Sequence, residues 1–85
     1  LINPNDDHVY FLRGYAKGKL KDYEASIRDY TKALGLNPYN SNAYHLRGVS
    51  RALIKDYEGA CDDWKNAYHM GVKEVRAAML RYCNR

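Results

Sequence analysis

The sequence predicts an all-α solenoid: two antiparallel helical hairpins followed by a fifth, capping helix. The first observation behind this is an internal duplication. The 85-residue chain matches itself at a shift of 34, with Asn3-Pro4 recurring as Asn37-Pro38, Leu12-Arg13-Gly14 as Leu46-Arg47-Gly48, and Lys21-Asp22-Tyr23-Glu24 as Lys55-Asp56-Tyr57-Glu58. With Tyr10/Tyr44, Asp29/Asp63 and Ala33/Ala67, twelve of the 34 aligned pairs between 3–36 and 37–70 are identical. A period of this length is that of one helical hairpin, which buries its apolar face only by stacking on a neighbour. The second observation is that apolar residues recur at helical spacing within each copy. The third is that the repeated residues are mostly small, aromatic or turn-forming, so what was duplicated is packing rather than a reaction centre.

The elements follow in order. Val9, Tyr10, Leu12, Ala16 and Leu20 fall at helical spacing behind Asn5, Asp6 and Asp7, which can cap a helix and complement its positive end, so a first helix is expected over 6–19. Asp22 has the chemistry of an N-cap, and Tyr23, Ile27, Tyr30, Ala33 and Leu34 form the stripe of a second helix that Gly35 and Pro38 end. The shift of 34 gives a third helix from about Ser41 to Leu53 and a fourth from about Tyr57 to His69, capped by Asp56. Gly14 and Gly48 let a neighbouring helix approach closely, with Ser26 and Ala60 expected as the matching small surfaces. After Gly71 the repeat stops, but Val72, Val75, Met79 and Tyr82 share one stripe, with Lys73, Glu74, Arg76 and Arg81 largely off it. A fifth helix is expected there, covering the flank of the fourth. The division expected is 1–5 as the end of a preceding repeat and its turn, 6–38 and 39–70 as two repeats, and 71–85 as the cap.

Charge narrows the partners. The net charge of +4 divides as +1 over 1–36, zero over 37–70 and +3 over 71–85, so the basic character belongs to the tail and not to a stripe along the repeats. Nucleic-acid binding therefore lacks its phosphate term, and Tyr10, Tyr23, Tyr30, Tyr44 and Tyr57 occupy repeat positions expected in the core rather than on a stacking platform. No run approaches the roughly 18 apolar residues of a membrane span. Cys61 and Cys83 have neither close spacing nor a disulfide-dense context, and are expected as reduced, buried thiols. His8, His45 and His69 form no close ligand motif, and no phosphate loop, nucleophile elbow or H-E-x-x-H run is present. No cofactor, metal or catalytic role is expected.

The assembled pattern resembles the tetratricopeptide repeat family. It is carried by Tyr10, Arg13, Gly14, Leu20, Asp22, Tyr23, Asp29, Tyr30, Ala33, Asn37 and Pro38, and again by Tyr44, Arg47, Gly48, Ile54, Asp56, Tyr57, Asp63, Trp64 and Ala67. The resemblance implies a right-handed superhelix whose first helix in each hairpin lines a concave, peptide-binding surface. The matching positions are His8, Phe11, Tyr15 and Lys19, then Asn42, His45, Val49 and Leu53, with Arg76 and Met79 of the cap extending the row. Phe11, Tyr15, Val49 and Leu53 would offer apolar area, and Lys19 and Arg76 a place for an acidic group. The competing expectation is that Phe11 and Tyr15 pack on an upstream repeat. Some family members grip a chaperone's acidic C-terminus, but here those positions carry Phe11, Tyr15, Leu46, Arg76 and Leu80, of which only Arg76 is compatible.

The chain departs from the family at Arg13 and Arg47, where an apolar residue is usual. Because Asp29 and Asp63 recur with them, a pairing of Arg13 with Asp29 and of Arg47 with Asp63 is expected, against the alternative of solvated arginines. The function expected is a protein or peptide interaction module. The alternatives are an end cap of a scaffold whose site lies upstream, and self-association through the first helix.

Overall fold

The computed structural model describes residues 5–83. It consists of α1 (Asp7–Lys19), α2 (Tyr23–Leu36), α3 (Ser41–Leu53), α4 (Tyr57–His69), a 3-10 turn (Lys73–Val75) and α5 (Arg76–Tyr82). Consecutive helices pack as α1 on α2, α2 on α3 and α3 on α4, with α5 and the 3-10 turn on α4. This is an all-α repeat solenoid. The recurring Asn3-Pro4 and the expected end of a preceding repeat fall on residues 1–4, outside the described residues.

Each main helix starts on a side-chain cap that its sequence supplies. Asp6 accepts from the His8 N–H at 2.9 Å, Asp22 from Ala25 at 3.3 Å, Asn40 from Ala43 at 3.0 Å and Asp56 from Gly59 at 3.0 Å. The ends of α1 and α3 share a device that the sequence did not announce. Lys21 and Lys55 take left-handed backbone conformations, φ 65° and 69°, a region usually left to glycine. In that geometry the Asp22 N–H reaches the Lys17 carbonyl at 2.9 Å and the Asp56 N–H reaches that of Arg51 at 2.8 Å, closing the last helical carbonyls in a Schellman turn. At the end of α4 the same closure uses Gly71, φ 102°.

The hairpins are held where each first helix meets its second. A Cβ at Gly14 would lie 2.9 Å from the Tyr30 ring, and one at Gly48 2.5 Å from Nε1 of Trp64. The absent side chains thus admit an aromatic ring; the Ser26 carbonyl also lies 3.2 Å from the Gly14 position, while the Ser26 side chain serves the contact between hairpins and Ala60 packs with Trp64, Ala67 and Val75 under the cap. Ser26 donates to the Tyr23 carbonyl at 2.7 Å, so in its 2.8 Å contact with Ser50 of α3 it accepts. Both serines are buried.

The residue before each glycine forms an ion pair. Arg13 Nη2 lies 2.9 Å from Asp29 Oδ1 and Arg47 Nη2 2.7 Å from Asp63 Oδ1, each pair with Nε also donating. The two clasps differ in setting: the Arg13 side chain is 57% exposed and that of Arg47 13%. Asp63 also accepts from Arg51 Nη1 at 3.0 Å, a partner the sequence comparison missed because Lys17 stands in the matching place. Between the repeats, Asp7 accepts from Asn37 and Asn40, which explains the Asn of the Asn37-Pro38 turn: it ties the junction to the start of α1.

The stripe of α1 stands exposed at Leu12, Ala16 and Leu20, on the face that meets a neighbouring repeat in a stacked array. Two expectations are corrected. The cap is less regular than one continuous helix. Val72 precedes the 3-10 turn, and α5 has seven residues, yet Val75 is buried against Ala60, Trp64 and Ala67, and Val72, Met79 and Tyr82 pack on the same cluster. Cys61 and Cys83 are bonded to each other, not reduced: their Cα atoms are 5.7 Å apart, because packing α5 on α4 brings together residues 22 positions distant in sequence.

These contacts set the direction of several changes. Gly48→Ala places a methyl against the buried Trp64 ring and is expected to destabilise by about 1–3 kcal/mol in urea denaturation despite the better helix propensity of Ala. Gly35→Ala, with nothing within 4 Å, should instead stabilise by up to about 1 kcal/mol. Asp63→Asn leaves Arg47 and Arg51 without their carboxylate and should cost about 3–5 kcal/mol. Asp29→Asn should cost clearly less, because water solvates the exposed Arg13. Reducing the Cys61–Cys83 bridge, or Cys83→Ser, should lower stability by about 2–4 kcal/mol in thermal or urea denaturation followed by circular dichroism.

Candidate functional site

A groove of about 190 Å³ runs between α1, α2 and α3. Its walls are Tyr15, Gly18 and Lys19 of α1 and Leu46, Val49, Ser50 and Leu53 of α3, with Tyr23 and Tyr30 of α2 between them. The floor exists because α3 packs on α2, and the walls because α1 and α3 each turn one face the same way. Tyr15 and Leu53 remain exposed. Among the described residues no acidic side chain lines the groove, and the one formal charge there is Lys19, whose Nζ lies 5.3 Å from the Tyr15 ring centroid, a cation over an aromatic face.

Tyr30 at the base is buried, and burial pushes its phenol up to about 12. The arrangement suits an apolar anchor side chain with a polar or acidic neighbour.

Ten positions were expected to line the surface, and the structure gathers four of them, Tyr15, Lys19, Val49 and Leu53, around this groove. The others lie elsewhere. Phe11 is a half-buried part of the first core cluster, its ring 5.8 Å from that of Tyr30 in the same hairpin. His8 is exposed and stacks on Phe11 at 6.2 Å. Asn42 and Arg76 are exposed outside the groove. Met79 packs on the Trp64 cluster, as its place on the cap's buried stripe requires. His45 is half-buried, and burial lowers its pKa, with Glu74 partly opposing the shift.

Sequence reasoning missed Tyr23 and Leu46. The signal was present: Tyr23 opens the second helix beside the turn, and Leu46 repeats Leu12 on the face that meets the preceding hairpin. Tyr23 was expected in the core, and Leu46 was weighed only as a position of the acidic-tail grip.

No helix among the described residues is long and apolar enough to cross a membrane, and no group of three or more His, Cys, Asp or Glu among them is placed to hold a metal ion. Among curated proteins nothing matches the chain. Residues 9–40 match the tetratricopeptide repeat family, covering the first hairpin and the turn that follows it. Members of that family are in general protein–protein interaction modules and typically non-catalytic scaffolds. The same helix pair, glycine contact and ion pair recur 34 residues later, so the architecture is consistent with tandem repeats of that kind.

Proposed function

We propose that this chain binds a peptide or protein segment in the groove between α1 and α3 and performs no chemistry of its own. The observation that carries the proposal is the co-location of exposed Tyr15 and Leu53 with Leu46, Val49 and Lys19 around an open apolar hollow without an acidic residue. Apolar side chains held exposed around a preformed hollow are where a few anchors supply most of the binding energy of an interface. The bound segment carries an aliphatic or aromatic anchor, and Lys19 favours an acidic group beside it. Because charge is a minor part of this surface, binding depends little on salt, which separates it from nucleic-acid binding, whose affinity falls steeply with salt.

The test is differential capture from the source lysate, read by mass spectrometry. The parent chain is compared with a Tyr15→Glu/Val49→Glu variant whose fold is checked by circular dichroism. Capture by the parent and loss in the variant, at both low and high salt, is the expected result. Equal capture by both would move the site off the groove and favour the end-cap role.

A further inference from the structure

We propose that the Cys61–Cys83 bridge is a redox latch: its reduction by a dithiol releases α5 from the end of the solenoid and leaves both hairpins folded. The bond is open to attack. Both cysteines are only half-buried, and with Tyr57, Glu58 and Tyr82 they line an open hollow of about 310 Å³ between α4 and α5. A bridge that only staples a core is sealed from attacking thiolates, whereas one that borders solvent is the labile kind.

What the bridge holds is weak without it. The helix α5 has seven residues, none of them buried, and no side chain caps its start. A helix so short does not persist in water on its own. Its beginning is anchored by Val75 of the preceding 3-10 turn, which is buried against Ala60, Trp64 and Ala67. Its far end has Cys83, whose N–H closes the last turn on the Met79 carbonyl at 2.7 Å, and the stacking of Tyr82 on Tyr57 at 5.1 Å. Among the described residues no ion pair joins α5 to α4. Opening the bond therefore leaves one aromatic pair and the half-buried Met79 to oppose fraying, the profile of a segment that opens locally.

The hairpins are insulated from the same reaction. Their helices are fixed by the Gly14–Tyr30 and Gly48–Trp64 contacts, the Arg–Asp clasps and the Ser26–Ser50 hydrogen bond, none of which involves a thiol. In the exchange, a thiolate of the dithiol bonds to one sulfur of the bridge, and the S–S electron pair leaves on the other sulfur, which takes up a proton. The second thiol of the reductant then displaces the first cysteine and closes the reductant's own disulfide, so two electrons and two protons pass to the chain. Release uncovers the face of α4 that bears Trp64, whose ring lies 6.0 Å from that of Tyr82. In the first repeat the same face, at Ser26, Tyr30 and Ala33, is where α2 receives α3. The latch thus sets whether the end of the solenoid is closed. It uses none of the groove residues, so it stands or falls apart from the proposed function.

Dithiothreitol, added to the whole chain without denaturant and followed by amide NMR, tests it. The expected result is reduction at a rate within about tenfold of that measured in unfolding urea, since the folded chain leaves the bond accessible. The signals of 76–83 should then move to the positions of unstructured chain, while those of α1 to α4 keep their helical shifts. A Cys61→Ser/Cys83→Ser chain should show the reduced spectrum with no reductant present and should not respond to its addition. A bridge that is reduced only once urea has unfolded the hairpins, helical signals retained over 76–83 after reduction, or loss of the helical signals of α1 to α4 in the reduced or the double-serine chain would each overturn the proposal.

Discussion

In both hairpins a glycine of the first helix faces an aromatic ring of the second, Gly14 against Tyr30 and Gly48 against Trp64, with less space than a methyl group needs. The separation of the helices is set there, because a packed aromatic ring in the core cannot yield as a surface side chain can. One residue earlier on each helix sits the Arg–Asp clasp, at the same sequence offset, so that an apolar contact and an ion pair fix one register together. For the buried Arg47–Asp63 clasp, desolvating the ions offsets much of their attraction, so its net stabilisation is smaller than the cost of breaking it. At Asp63, which holds two arginines and is almost wholly buried, the geometry has the additional hydrogen bonds that such a pair requires.

Helix spacing passes directly into the groove. Tyr30 touches the Gly14 position with its ring and also forms the groove's base, and Ser50 both joins the hairpins and lines the wall. A change that moved α2 away from α1 would therefore open the hollow as well as weaken the hairpin. The C-terminal end is secured differently. Because α5 is short and has no side-chain cap, its attachment relies on burial of Val75, the stacking of Tyr82 on Tyr57 at 5.1 Å, and the covalent bridge to α4.

The sequence disclosed what repetition doubles and hid what occurs once. The helix pairs, the Asp22 and Asp56 caps and both Arg–Asp clasps were legible because each appears twice at one spacing. Arg51 as a second partner of Asp63 was not, since the first repeat has no arginine there. The disulfide was hidden for a related reason: Cys61 and Cys83 lie in a repeat and in the cap, and only the packing of α5 on α4 makes them neighbours. The stripe of α1 showed the limit of periodicity, which finds an apolar face but does not say which neighbour covers it. In the candidate site, Phe11 and Met79 are partly buried against the core clusters, a packing that family position alone does not reveal.

The claim on which this account rests is that the glycine and the aromatic ring form one unit in each hairpin. A double-mutant cycle between Gly48→Ala and Trp64→Leu, measured by urea denaturation, tests it most directly. The smaller leucine should make room for the added methyl, so that the double variant is more stable than the sum of the single changes predicts, with a coupling of about 1–3 kcal/mol. Additive effects would contradict the account and show that something other than this contact sets the spacing of the helices.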